Sequence, residues 1–218
     1  MRVMPSNQAL PLWRSILFVP AVSDRFVESA LKQAADVLQI DLEDSVPCPS
    51  KAEARAAIRQ AWPQLQQASC AIVVRINSPD TEWGEQDLLA LQGLQGLAGV
   101  MVPKTESAQT LARVAEALAG VPSLPIIESA MGYLALREIA CAPQVARLVV
   151  GHIDFLADTG MACDDEQREL AALIQSQAAE LELAAEKPAW GDGAADRPFR
   201  GGRRGDPFSR RDRRSSLR

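Results

Sequence analysis

The sequence predicts an α/β protein built as a (β/α)-barrel, and three observations carry the prediction. From residue 15 onward, short and nearly all-apolar runs alternate with helical patterns. Such runs are strands of a parallel sheet covered on both faces. Their starts recur about every 20 to 35 residues, the interval of a βα unit. Each run from the second to the sixth also ends on a charged group. A doubly wound sheet satisfies the first two observations, but neither GxGxxG nor GxxxxGK(S/T) follows any strand. Barrel chemistry gathers at the C-terminal ends of several strands, so the charged ends favour the barrel.

Strand one is SILFVP, Ser15 to Pro20, and SDRFVESALKQ follows as a helix with Ser23 or Asp24 as N-cap. Strand two, VLQIDLEDSV from Val37 to Val46, begins apolar and ends in Asp41, Glu43 and Asp44. PSKAEARAAIRQAW sets Ser50 and Glu53 at capping-box spacing, and its helix is expected to stop before Pro63. AIVVRIN, Ala71 to Asn77, is strand three, rich in β-branched residues and ending in Arg75 and Asn77. A helical segment from Trp83 to Leu91 leads to strand four, GVMVPK, which ends on Lys104. SAQTLARVAEALAG reads as an amphipathic helix closed by Gly120. LPIIES, Leu124 to Ser129, is strand five and carries Glu128; a helix then runs to about Ala140. ARLVVGHIDF, Ala146 to Phe155, is strand six and brings Asp154. A long helix is expected from roughly Asp164 to Glu186. A barrel needs eight strands; six are legible here.

With 218 residues, 47% of them hydrophobic, the chain can bury a sizeable core. The net charge of -5 divides unevenly. Residues 187–218 hold ten Lys+Arg against four Asp+Glu, leaving an acidic body before a basic tail. That tail is rich in Gly and Arg and lacks apolar periodicity. The reading is therefore a barrel domain over residues 1–186 and a disordered tail over 187–218. Cys48, Cys70, Cys141 and Cys163 form no CxxC pair, and the N-terminus has no apolar signal core. A cytoplasmic protein with reduced thiols and no membrane span is expected. The tail's basic charge comes without interleaved aromatics or a nucleic-acid-binding motif, which argues against that partner.

The strand ends suggest metal chemistry. Glu128 and Asp154 can hold a divalent cation such as Mg²⁺, which takes one or two protein carboxylates and completes its octahedron with water and substrate oxygens. Asp41 and Glu43 lie two apart on a strand and point the same way, where they and Asp44 can orient metal-bound waters. Arg75 offers a planar, permanent cation for a substrate carboxylate or a developing enolate. Lys104 can add positive charge or act as a Schiff-base lysine. Plainer roles fit the same residues: Asp44 and Asp154 as loop starts or helix caps, Arg75 as a structural partner of Glu43, Lys104 as a solvated loop residue. His152, the single histidine, reads as structural or supporting. A Ser-His-Asp triad is excluded except through it, and GxSxG is absent.

Read together, RSILFVP, DLEDSVP with KAEAR, VRINSPDTEWGEQDL, MVPKTESA, IIESAMG and GHIDFLADTG occur in order over roughly residues 13–165. This set resembles the citrate lyase β-subunit-like (CitE-like) branch of the HpcH/HpaI aldolase superfamily. The resemblance implies a TIM-type barrel, a Mg²⁺ ion, an oligomer, and lyase or Claisen-type chemistry on acyl-CoA and small 2-keto acids. It places the metal carboxylates on Glu128 and Asp154 and the substrate arginine on Arg75. The acidic pair of the DLED block falls on Glu43 and Asp44 beside the metal's waters, and Lys104 takes a supporting part. The implied reaction cleaves or condenses an ester such as citramalyl-, malyl- or citryl-CoA. Relatives continue with two more strands and a further helical region, so the change of composition after Glu186 reads as a truncation or frameshift. Two alternatives stand beside the lyase: a weak or inactive relative serving binding or assembly, and a CoA-independent class II 2-keto acid aldolase, which usually employs a histidine base.

Overall fold

The computed structural model describes residues 12–21, 24–161 and residue 175. Six parallel strands pair strictly in sequence order: β1 (Ile16–Pro20), β2 (Val37–Asp41), β3 (Ala71–Arg75), β4 (Leu97–Val102), β5 (Ser123–Ile127) and β6 (Val149–Val150). Helices cross over between them: α1 (Asp24–Ala30), α2 (Lys51–Leu65), α3 (Glu82–Leu91), α4 (Ala108–Ala117), α5 (Ala130–Leu134) and α6 (Leu136–Ala140). α7 (His152–Thr159) follows β6. The sheet curls into a half-barrel of the TIM type. The expected fold class is thus observed, with six strands among the described residues.

Strand alternation builds two layers of core. Leu38, Ile40 and Leu42 point outward and pack with Ala54, Ile58, Trp62 and Leu65 of α2 and with Leu88 and Leu91 of α3. Each such fully buried Leu or Ile contributes about 1.5–3 kcal/mol. On the other face Val37, Val73, Met101, Leu124 and Ile126 line the barrel interior, with Trp13 packed against them. Register places Val37 opposite Ala71, Gln39 opposite Val73 and Asp41 opposite Arg75. The interior is therefore apolar low down and charged where β2 and β3 end. All five β2 residues are buried, as expected for a parallel strand covered on both sides.

Strands β2 to β5 each stop before the last residue expected of them, which leaves Lys104 and Glu128 just past their strands, and four further boundaries differ from the sequence expectation. Ser50 makes no side-chain cap and is not extended (φ -95°, ψ 0°), because a 3₁₀ turn over Cys48–Ser50 runs directly into α2. α2 also continues through Pro63 to Leu65, since Trp62 and Leu65 are both buried and Gln66 still donates to the Trp62 carbonyl at 2.9 Å. Proline's lost hydrogen bond is outweighed there by packing of the last turn. The helix after β5 is two short helices that meet at Ala135. Strand six is only Val149–Val150; His152 to Phe155 belong to α7, which Gly160 ends at φ +65°. Asp154 is therefore a first-turn helix residue, not a strand end. Gly120 takes φ +82° just beyond α4, as its expected closing role requires. The expected helix from Asp164 to Glu186, the tail over 187–218 and the N-cap candidate Ser23 lie outside the described residues. No helix among the described residues is long and apolar enough to cross a membrane.

Candidate active site

At the end of β2, Asp41 organises the turn that follows it. Its Oδ1 accepts from the Glu43 N–H and its Oδ2 from the Ser45 N–H, both at 3.0 Å. The β2–β3 register sets Arg75 directly beside it. Arg75 Nε and Nη2 donate side by side to the two Asp41 oxygens, each at 2.7 Å. Nη1 turns to Glu43 Oε2 at 2.9 Å and, more loosely, to Asp44 Oδ2 at 3.4 Å. One cation thus sits among three carboxylates, of which only Asp44 is well exposed.

Burial alone would raise the Asp41 pKa, but the bonds from Arg75, Ser45 and Glu43 outweigh it and hold the carboxyl below its usual range. Glu43 goes the other way: burial is its largest influence, Arg75 and Lys104 oppose it, and the net direction is upward. Arg75 is raised despite burial, because Asp41, Glu43 and Asp44 surround it. It is charged at any relevant pH.

Lys104 joins this group to the next strand. It lies past β4 with a left-handed backbone, φ +49°, uncommon for a residue with a side chain. That conformation aims its N–H at Glu128 Oε1, 2.6 Å away, while its Nζ reaches Glu43 Oε1 at 3.3 Å. Glu128, just beyond β5, is buried, and desolvation is the main cause pushing its pKa up to about 7. The Lys104 N–H and ammonium pull it down, while the charges of Glu43 and Asp154 push it further up. Asp154 reaches the same place from the first turn of α7, exposed and acting through its charge. Gly151 makes room: a Cβ there would lie 2.6 Å from Glu128 Oε2 and 2.5 Å from its Cβ.

Two consequences can be measured on the metal-free protein. Gly151→Ala is expected to force Glu128 aside and cost about 1–3 kcal/mol in urea unfolding, the usual cost of overpacking. Stability should also rise as pH falls from about 8 towards 5. Folded Glu128 takes up a proton near 7, whereas the unfolded side chain does so only near 4.5. Glu128→Gln should flatten that part of the pH profile.

All seven sequence-predicted site residues fall at this one end of the sheet. Asp41, Glu43, Asp44, Arg75 and Lys104 form a continuous bonded network, and Glu128 joins it through the Lys104 main chain. Asp154 shares the location but no bond with it. His152 is exposed at the start of α7. The donor chemistry of Glu128 and Asp154 fits a hard oxygen-seeking cation such as Mg²⁺: two carboxylates, one already crowded by negative charge. No group of three His, Cys, Asp or Glu side chains is arranged to hold a metal among the described residues, as a Zn²⁺ site would require.

Sequence reasoning missed the supports beneath the site. Asp87 of α3 is fully buried; its Oδ2 accepts from the Asn77 N–H at 2.8 Å and from Asn77 Nδ2 at 2.6 Å, and Arg55 bonds its other oxygen. Burial raises the Asp87 pKa most, against these bonds. Lys51 is buried too and holds the Leu42 and Glu43 carbonyls. A signal for both was present: Asp87 shares a helical face with Gly84, Leu88 and Leu91, and Lys51 with Ala54, Ile58, Trp62 and Leu65.

Residues 14–192 match the family model described as HpcH/HpaI aldolase/citrate lyase. The chain belongs to that family. Within the HpcH/HpaI family it is 35% identical over 149 residues to a (3S)-malyl-CoA thioesterase of Cereibacter sphaeroides, a match covering 68% of this chain and 52% of that one. An L-malyl-CoA/beta-methylmalyl-CoA lyase of Rhodobacter capsulatus is 34% identical over 162 residues, covering 68% of this chain and 51% of the relative. The chain therefore spans about half the length of the curated relatives it matches. Among solved HpcH/HpaI structures, the citrate lyase beta subunit from M. tuberculosis, complexed with oxaloacetate and magnesium, superposes with a TM-score of 0.63 at 32% identity. That match covers 84% of this chain and 76% of the other.

Proposed function

We propose that the chain acts as a Mg²⁺-dependent carbon–carbon lyase on a 3-hydroxyacyl-CoA ester of the malyl-, citramalyl- or citryl-CoA type, releasing an acyl-CoA and a small 2-keto acid. The observation that carries this reading is the convergence of a carboxylate pair, Glu128 and Asp154, with the permanently charged Arg75 at one mouth. The malyl-CoA names of two relatives, and the oxaloacetate and magnesium of a third, support it.

Glu128 and Asp154 would hold the cation, which when bound supplies Lewis-acid polarisation of the keto-acid oxygens. Arg75 binds the substrate carboxylate and stabilises the alkoxide left when the 3-hydroxyl gives up its proton; as the C–C bond breaks, the electron pair passes to the acyl-CoA half as an enolate, which takes a proton back. Of its four carboxylate contacts, the 3.4 Å one to exposed Asp44 is the one an incoming carboxylate can replace. The Asp41 fork keeps the guanidinium plane fixed during that exchange. Glu43, held between Arg75 and Lys104, faces the same mouth and orients water beside the carboxylate pair. Lys104 adds positive charge near Glu43. The working form is a cytoplasmic homo-oligomer.

A second reading comes from the thioesterase relative: the same ester is hydrolysed at its thioester. Malyl-, citramalyl- and citryl-CoA should be incubated with the protein, with and without Mg²⁺, and with Glu128→Ala as control. Release of 2-keto acid supports the lyase; free thiol without keto acid supports hydrolysis. Neither product, alongside intact Mg²⁺ and oxaloacetate binding, leaves a binding or assembly component. Cleavage of a CoA-free hydroxy-keto acid alone would indicate the class II aldolase.

A further inference from the structure

Lys51 opens α2 on that helix's buried stripe and is only 5% exposed. A buried ammonium is costly unless fully hydrogen-bonded. This one donates to two consecutive main-chain carbonyls, Leu42 and Glu43, each at 2.7 Å. In a continuing strand, successive carbonyls point to opposite sides. Gathering both onto one ammonium therefore ends the strand and turns the chain. Asn77 Nδ2 shares the Leu42 carbonyl at 2.9 Å, and Asn77 is itself held by buried Asp87. The same turn is fixed through its N–H groups by Asp41, the partner of Arg75. Around Glu43, the Glu43 and Ser45 N–H groups are thus tied to Asp41 and the Leu42 and Glu43 carbonyls to Lys51, while the Leu42 N–H donates to the Arg75 carbonyl and the Val46 N–H to the Glu43 carbonyl.

We propose that Lys51 is a positioning residue for the Glu43–Arg75 pair: its ammonium shapes the turn from which Glu43 reaches Arg75 and Lys104. The assignment rests on the lyase reading for its catalytic meaning but not for its geometry. Lys51 touches no group expected to contact substrate. Its effect passes through the turn, and removing it loosens Glu43 without altering the Glu128–Asp154 pair.

The test compares wild type, Lys51→Met, Glu43→Gln and the double variant, following hydrogen exchange of the Arg75 guanidinium N–H signals by ¹⁵N NMR, assigned with Arg75→Lys. Exchange in Lys51→Met should be at least about tenfold faster than in wild type, as for a locally opened contact. The double variant should be no faster than the faster single variant, because both changes break one linkage. Unchanged protection in folded Lys51→Met, or effects that multiply in the double variant, overturns the proposal. If Lys51→Met does not fold, Lys51→Gln, which keeps one N–H₂ donor, enters the same cycle and should give an intermediate rate. In the lyase assay, Lys51→Met should lower kcat about 10–100-fold with Mg²⁺ affinity unchanged, and should add nothing to Glu43→Gln. A wild-type protein with no cleavage would count against the lyase reading alone, since the exchange measurement still decides Lys51.

Discussion

Under the proposed lyase reading, in which Glu128 holds the cation, Glu128→Gln is expected to lower kcat/KM for CoA-ester cleavage by at least about 10²–10³-fold, because a metal carboxylate supports several kcal/mol of transition-state charge. Mg²⁺ affinity measured by calorimetry should fall with it. Glutamine keeps an acceptor for the Lys104 N–H, so the local fold survives and the loss reports charge rather than collapse. The same change should make the metal-free protein more stable at pH 8. It removes a desolvated carboxylate that Glu43 and Asp154 already repel. Activity down and stability up in one variant marks a residue kept for chemistry at the expense of the fold. Wild-type Mg²⁺ affinity in the variant would remove Glu128 from the metal site.

Arg75→Met should be the most damaging single change to the fold, costing about 3–5 kcal/mol at pH 7 by chemical denaturation, the usual result of stripping one partner from a buried ion pair. Asp41 is left charged and buried, with only two main-chain N–H groups for company. The pH dependence carries the diagnosis. In wild type, Asp41 is held below the ordinary 3.8, so its contribution is present above that value and lost as pH falls through the lower folded one. Without Arg75 that benefit disappears and the carboxyl titrates higher. The gap between variant and wild type should therefore be widest near neutrality and narrow below about pH 4. A gap of constant size across that range would mean that lost side-chain packing, not Asp41, accounts for the damage.

Most of the architecture could be read from the chain because parallel strands advertise themselves. AIVV and GVMV are apolar throughout, and each is separated from the next by a helix-length stretch. GHIDF failed the same reading for a physical reason: a short apolar run next to glycine suits a strand or a first helical turn equally. In the structure the strand stops at Val150 and Gly151 lies close against Glu128, a contact between segments that sequence distance conceals. The direction of charge on DLED was legible from alternation, which put Asp41 and Glu43 on one side. That Asp41 rather than Glu43 takes the Arg75 fork was not, because it follows from strand register, set jointly by neighbouring strands. Lys51 and Asp87 were visible as polar residues on buried helical stripes. Their partners are main-chain groups and a strand-end asparagine, which no side-chain pattern displays.

The left-handed backbone of Lys104 divides the site into separately heritable parts. Its bond to Glu128 is made by a main-chain N–H, which nineteen of the twenty amino acids possess. Substitution at this position can therefore vary the charge offered to Glu43 over a wide range while leaving the hold on Glu128 in place, with glycine the easiest occupant and proline the forbidden one. The charge at position 104 can change from one lineage to another without passing through forms that have lost the hold on the carboxylate next door.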